Sequence, residues 1–182
     1  MGDGTPRSNV SQMARVLVFG NAGSGKSTYA AGLARRECLV HLDLDTLVWE
    51  PRRVAVPRPA VLVQQDLQSF LESHTHWVIE GCYSEWIQLA SRQCTELVFL
   101  NPGEAVCLAH CRARSWEPHK FASPDEQNRL LDFLLEWVRG YYTRDESCSL
   151  VRHQRLFQGF NGVKRELKSP VAVPDLLTRP SP

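Results

Sequence analysis

Eight consecutive residues, Gly20-Asn21-Ala22-Gly23-Ser24-Gly25-Lys26-Ser27, limit what this chain can fold into more than any other stretch of it. Glycines at the first, fourth and sixth places let successive backbone N–H groups turn inward toward one anion, in conformations that residues with a Cβ resist. The run before them, 14–19, is short, apolar and valine-rich, and the run after them, 28–36, has the spacing of an amphipathic helix. Strand, glycine loop and helix together read as a phosphate cradle, in which the loop amides from Gly20 to Thr28 and the positive helix end hold the anion. There Lys26 reaches the β- and γ-phosphates and the Ser27 hydroxyl is placed to ligate Mg²⁺, so residues 20–28 are the expected nucleotide-binding set. An empty glycine-rich turn is the competing reading, but it has no use for Lys26 and Ser27 at its end.

The chain can support one ordinary domain around this loop: 182 residues, 43% hydrophobic and 23% charged, with a net charge of +1. No apolar run approaches the roughly 20 residues that span a bilayer, and residues 1–13 lack the apolar centre of a secretory signal. The expectation is a cytoplasmic protein with a disordered lead-in over 1–13 and no membrane partner. The near-neutral charge argues against broad nucleic-acid binding. Six cysteines follow no framework spacing and read as free thiols. Cys107, His110 and Cys111 share a helical face, but no second ligand pair follows at zinc-like spacing, so they read as core-facing side chains.

Taken in order, a second strand over 39–44 delivers Asp43 and Asp45 at its far end, on one face because residues two apart on a strand point the same way. In a parallel sheet both carboxylates emerge at the edge where the phosphate loop sits; one can hold a metal-bound water while the other accepts a hydroxyl proton. The plainer reading is a solvated turn or helix cap. Residues 49–59, with three prolines and three arginines, read as a surface loop, either solvated or closing over an acidic substrate. A crossover helix is expected over 60–73 and a third strand over 76–80. That strand sets Glu80 beside the phosphate loop, as an outer partner of the metal or as a salt-bridged surface side chain. A helix over 84–93, a fourth strand over 96–100 and a helix from 104 follow.

Residues 111–121 mix Arg112, Arg114, His119 and Lys120 with Trp116 and Phe121. This reads as a lid over about 112–123 whose cations close on a transferring phosphoryl group and exclude water, or as a charged helix end and its loop. Ser123-Pro124-Asp125-Glu126 carries the cap, first-turn proline and acidic third residue that open a helix. One helix is expected from there, with Leu130, Leu131, Leu134, Trp137, Val138 and Tyr141 on its apolar side. A helix over 150–160 and a fifth strand over 163–167 complete the chain. Strands alternating with helices call for an α/β fold with a parallel sheet.

From about 14 to 177 the chain resembles the small P-loop kinases, the superfamily of adenylate kinase and shikimate kinase, and within it the adenylate-kinase-like topology modulation proteins. Asp43-Leu44-Asp45 is similar to the Asp-x-Asp of shikimate kinases, which implies a metal-water role for Asp43 and a substrate or base role for Asp45. Residues 77–83 resemble the strand-Asp-Gly-aromatic segment of the adenylate-kinase-like proteins, with Glu80 in place of the metal-linked Asp. Arg112 and Arg114 fall where the superfamily carries lid arginines. Two departures stand out: Glu80-Gly81-Cys82 replaces the Gly-Gly-Gly of shikimate kinases, and Tyr83-Ser84 does not supply the Pro-Arg of adenylate kinases.

The resemblance implies a single three-layer α/β/α domain over 14–182, with a five-stranded parallel sheet in the order 2-3-1-4-5 and a helical lid. It implies an ATP- and Mg²⁺-dependent phosphotransferase acting on a small hydroxyl- or phosphate-bearing metabolite or nucleotide. Catalytic residues would be Lys26, Asp43, Asp45, Arg112, Arg114 and Lys120, with Ser27, Asp43 and Glu80 toward the metal. The alternative is a nucleotide-binding regulatory or nucleic-acid-associated ATPase without a small-molecule acceptor. A guanine-reading Asn-Lys-x-Asp segment is missing from the sequence.

Overall fold

The apolar run ahead of the glycine loop becomes the middle strand of a parallel sheet. A computed structural model describes residues 13–51, 53–118 and 121–170. Residues 1–12 of the expected lead-in over 1–13, and Lys120, one of the lid cations, lie outside the described residues.

In chain order the elements are β1 (Arg15–Gly20), α1 (Lys26–Glu37), β2 (Val40–Asp43), α2 (Asp45–Val48), β3 (Trp49–Glu50), β4 (Arg53–Pro57), α3 (Ala60–Ser73) and β5 (Trp77–Gly81). Then come α4 (Ser84–Ser91), β6 (Glu96–Leu100), α5 (Glu104–Arg112), α6 (Pro124–Arg129), α7 (Leu131–Gly140), α8 (Leu150–Gly159) and β7 (Val163–Leu167). The main sheet runs β2-β5-β1-β6-β7, all parallel, which is 2-3-1-4-5 when the short β3-β4 pair is left out of the count. Both neighbours of β1 are fully enclosed strands, so β5 and β6 are continuous apolar runs apart from Glu96, at the start of β6, and Glu80, which sits opposite Val18 and Asp43.

Side-chain alternation on β1 splits the core in two. Leu17 and Phe19 face one layer with Ile79, Leu97 and Phe99, covered by α3, α4 and α8; Phe19 and Phe99 stack at 4.9 Å. Val16 and Val18 face the other with Val78 and Val98, covered by Tyr29, Ala30 and Leu33 of α1. Each fully buried side chain of this kind contributes roughly 1.5–3 kcal/mol. A third cluster joins α5 to α7 through Cys107, Leu108, Cys111, Leu135 and Val138, with Ala22 of the glycine loop against it.

Three expectations are corrected. Residues 49–59 form an antiparallel hairpin, β3 with β4, instead of an irregular loop. A two-stranded ribbon is all edge, so Pro57 costs no interior ladder bond, and the Arg58 N–H to Val48 carbonyl bond (2.8 Å) extends the pairing. The helix opening at Ser123 is divided at Leu130, whose N–H is shared between the Glu126 and Gln127 carbonyls. Its first part, α6, buries no residue, whereas α7 is held by the contact with α5. The second strand stops at Asp43, so Asp45 stands in a helical turn and not on the same strand face.

Candidate functional site

The glycine loop wraps the opening of α1 with Gly23 at φ 76° and Gly25 at φ 95°, left-handed conformations that only glycine adopts without strain. A Cβ on Gly23 would strike the Cys107 carbonyl and approach the Cys111 Sγ to 2.8 Å, so α5 is seated directly on the loop. Asn21, almost fully buried, donates from Nδ2 to the Val138 carbonyl (3.0 Å) and accepts the Ala22 N–H at Oδ1 (2.8 Å), which ties the loop to α7. Lys26 donates from Nζ to the Asn21 carbonyl at 2.9 Å. The Ser24 hydroxyl is buried with no hydrogen-bond partner. Residues 22–29 line a cavity of about 710 Å³; Gly20 and Asn21 support it from outside the lining.

Opposite the loop lies an acidic edge. Glu80 is 2% exposed, which removes the surface salt-bridge reading. It lines the same cavity as Ser27, and its Oε1 has no partner. Burial first, and then the charge of Asp43, raise its carboxyl to about 7, with Lys26 and Ser27 opposing. Asp45 lines the same cavity and accepts the Tyr83 hydroxyl at 2.6 Å. Burial pushes the Tyr83 phenol far up, so that hydroxyl keeps its proton and donates. Asp43 does something different. Its Oδ1 accepts the Asp45 N–H (2.9 Å) and its carbonyl accepts the Thr46 hydroxyl (2.7 Å), so it shapes the entry to α2 and does not line the cavity. The plainer reading of Asp43 as a turn-forming residue accounts for these two bonds, and of the two aspartates it is Asp45 that lines the cavity.

The expected lid begins where α5 ends. Arg112 is exposed and away from the cavity lining, whereas Arg114 lines it, paired with Glu117 at 3.0 Å. Gln127 of α6 orders the segment, accepting the Glu117 N–H (2.9 Å) and donating to the Ser115 carbonyl (3.1 Å). The Ser123 hydroxyl accepts the Glu126 N–H (3.1 Å) while the Glu126 carboxylate accepts the Ala122 N–H (2.7 Å), a reciprocal cap at the start of α6 as the sequence pattern required.

No family model matches the chain, and no curated protein matches it in sequence. Solved structures do match. A "putative kinase" from Chloroflexus aurantiacus shares 15% identity over 91% of this chain and 96% of its own, with a TM-score of 0.52. This is the fold of the small P-loop kinases. A sugar kinase from Janibacter sp. (17% identity, 91% and 90% covered, TM-score 0.48) and a shikimate kinase from Bacteroides thetaiotaomicron (20%, 80% and 97%, 0.47) are also similar.

Within this P-loop kinase fold, three side chains near the cavity carry contacts that sequence reading did not assign. Tyr83 was visible as an aromatic after Gly81, but its bond to Asp45 spans the crossover from β2 to β5 and has no local signature. His110 stands 2.8 Å from the Gly23 carbonyl through Nδ1, which must carry the proton because a carbonyl only accepts. His153, fully buried, accepts the Tyr141 hydroxyl at Nδ1 (2.8 Å) and donates from Nε2 to the Cys82 carbonyl (2.8 Å); burial lowers it to about 4, so it is neutral. Residues 82 and 83 are thereby fixed from below by α7 and α8. All six cysteines are free thiols, Cys107 and Cys111 within the α5–α7 core.

The P-loop kinase fold implies Mg²⁺, and the donor set here fits it. Ser27 and Glu80 offer hard oxygens, with one Glu80 oxygen unpartnered in the protein, and Mg²⁺ takes few protein ligands and leaves the rest of its shell to water and phosphate. Among the described residues no group of three or more His, Cys, Asp or Glu side chains forms a metal cage. No helix among them is long and apolar enough to cross a membrane.

Proposed function

We propose that the protein transfers the γ-phosphoryl group of ATP to a hydroxyl of a small molecule, in a cytoplasmic setting suited to its free thiols. The observation that carries this reading is the buried Glu80 carboxyl, with Oε1 unpartnered, lining the same cavity as Lys26 and Ser27 of the phosphate loop and Asp45. Burying a carboxyl without satisfying it costs a structural protein several kcal/mol with no return, and a charged ligand set at that place removes the cost. Mg²⁺, held through Ser27 and Glu80, would neutralise the charge of the bound polyphosphate.

The residues divide the work by position. Loop amides and Lys26, once it leaves the Asn21 carbonyl, hold the β- and γ-phosphates. Asp45 accepts the proton of the acceptor hydroxyl, and Tyr83 fixes the orientation of that carboxylate. The acceptor oxygen forms its bond to the γ-phosphorus as the bond to the bridging oxygen breaks, and ADP leaves with that electron pair. Arg114 is the described cation placed to meet the spread negative charge, and Lys120 is a second candidate from the sequence. Asp43 keeps a supporting role, through the Asp45 amide and through the charge it exerts on Glu80. The test is release of ADP from Mg²⁺-ATP with and without candidate acceptors: turnover that rises with an acceptor and disappears in Lys26→Ala upholds the reading, and acceptor-independent hydrolysis alone replaces it with an ATPase.

A further inference from the structure

Cys82 stands between the side chains that set up the acidic wall, with Glu80 two places before it and Tyr83, which bonds Asp45, one place after. It is partly exposed and lines the cavity, so the cavity gives a small solute a route to this residue. Cys148, 5% exposed, comes up to it from the connection between α7 and α8, and the two sulfurs stand 3.2 Å apart. Backbone bonds build this approach from both sides. The Cys82 carbonyl accepts from His153 Nε2 (2.8 Å) and the Cys148 carbonyl from Arg144 Nε (2.7 Å). Between them Ser84 donates from its N–H to the Ser147 hydroxyl (3.1 Å) and from its own hydroxyl to the Ser147 carbonyl. Two segments 66 positions apart in the chain are thus clamped side by side with their thiols facing.

We propose that Cys82 and Cys148 are a reversible disulfide site, oxidised by a low-molecular-weight disulfide that enters through the cavity, and that closing the bond slows the protein; the effect on turnover rests on the phosphotransfer reading. The Cys82 thiolate attacks one sulfur of the reagent, which forms a mixed disulfide and releases one thiol. Cys148 then gives up its proton and attacks the Cys82 sulfur, breaking the mixed disulfide and releasing the second thiol. The protein loses two protons and two electrons, the reagent is reduced to two thiols, and excess thiol runs the exchange backwards. The neighbouring sulfur and burial hold the Cys82 thiol well above its usual range, so its thiolate is scarce and the exchange is slow. Such a pair stays reduced in a reducing compartment and closes under sustained oxidation.

A disulfide bond is about 2.05 Å long, so the sulfurs must close by about 1 Å. Cys148 is held by Arg144 at its carbonyl and by the adjoining Ser149, whose hydroxyl accepts the Arg152 N–H at the start of α8. Part of the closure therefore falls on residues 82 and 83, and with them on the Tyr83 hydroxyl that orients Asp45. A misplacement of about 1 Å can cost about 10²-fold in rate, and the share passed to Tyr83 should cost about tenfold.

The test incubates the full chain with oxidised glutathione, maps its peptides before and after dithiothreitol, and follows ADP release from Mg²⁺-ATP in both states. The expected result is a Cys82–Cys148 cross-linked peptide, ADP release about tenfold slower, and recovery of both on reduction. Cys148→Ala, its fold checked by a thermal melt, should match the reduced parent within about twofold and lose no rate on oxidation, and Cys38→Ser, at an exposed thiol, should respond as the parent does. The map and the recovery on the parent decide the matter even where Cys148→Ala does not fold. Glutathione left on Cys82, Cys148 joined to another cysteine, or a pair still reduced once Cys38 has reacted overturns the inference. So does a formed disulfide with unchanged ADP release, or an oxidative loss that Cys148→Ala retains. Absence of ADP release from the reduced protein removes the phosphotransfer reading instead, and the peptide map still decides the disulfide.

Discussion

The two walls of the cavity that bear charge are built in opposite ways. On the acidic wall Glu80 sits in the register between Val18 and Asp43 at 2% exposure, and Asp45 is fixed by a 2.6 Å bond from a buried tyrosine. On the cationic wall Arg114 is held by a partly exposed ion pair, an interaction worth about 0–1 kcal/mol, and its neighbours Arg112 and Trp116 are exposed and outside the lining. Folding therefore fixes the carboxylates before any ligand arrives, whereas the arginine can be moved at almost no cost. The acidic wall is preorganised for chemistry and the cationic wall is suited to closure. Single substitutions should discriminate them.

The largest effect belongs to the loop between the walls. Lys26→Ala should lower phosphoryl transfer by about 10³-fold, the upper scale for removing one donor to developing charge, with the melting temperature nearly unchanged because the ammonium contacts only a loop carbonyl. Single-turnover rates with a thermal melt check both halves, and turnover within a few-fold of the parent breaks the assignment. Next, Asp45→Asn should cost about 10²-fold in kcat, within the range for general bases, and Tyr83→Phe about tenfold. Asp43→Asn should cost less than either, since an asparagine side chain can still accept the Asp45 amide. Equal losses at positions 43 and 45 would return Asp43 to the metal-water role that the Asp-x-Asp resemblance implies.

That contrast also marks how far the sequence could be read. The form of the loop was legible because its signals are local: glycine spacing, a strand before it and a helix after it are close together in the chain. The β2-β5-β1-β6-β7 sheet was legible for a related reason, since each strand is a bounded apolar run. The shared strand face of Asp43 and Asp45 was misread because strand alternation was extended past Asp43, where the buried Leu44 N–H takes the Glu80 carbonyl at 2.9 Å and the chain turns. The Tyr83–Asp45 and His153–Cys82 bonds join residues 38 and 71 positions apart, and no spacing rule reaches that distance. The β3–β4 hairpin was hidden because proline and arginine content spoke for a loop more loudly than two valines spoke for an edge ribbon.

On the cationic wall the expectation is graded. Arg114→Ala should lower kcat about tenfold with little change in ATP affinity, as for a group that meets charge only after closure, whereas Arg112→Ala should stay within about twofold. The two arginines were equal in the sequence, and their exposure and place relative to the cavity separate them. Equal losses would place Arg112 over the cavity in the closed state, and no loss at either would make residues 113–123 an ordinary solvated loop. Hydrogen exchange over that segment, compared with and without Mg²⁺ and an ATP analogue, should show protection gained only on the cationic wall.

The smallest effect is a cancellation between two buried groups that flank Cys82. Glu80 is raised by burial and Asp43 from 4.5 to about 7, so between those values the folded protein holds a proton that the unfolded chain has lost. Its contribution to stability is therefore largest at low pH and is lost as pH rises toward 7, by about 3 kcal/mol. His153 is lowered by burial from 6.5 to about 4, so the folded protein lacks a proton that the unfolded chain holds. Its contribution is present above about 6.5 and is lost as pH falls toward 4, by a similar amount. Between about pH 4.5 and 6.5 the two states then differ little in protons bound at these sites, and the pair imposes almost no slope. Removing either member exposes the other. Glu80→Gln should lose stability as pH falls from 6.5 to 4.5, and His153→Gln, whose amide can still donate to the Cys82 carbonyl, should gain it over the same interval relative to its own value at neutral pH. Urea melts of the three proteins at half-unit steps measure the slopes. Three parallel curves would mean that the acidic wall is far less dry than its burial implies, and its preorganisation, the premise of the contrast with the arginines, would fall with it.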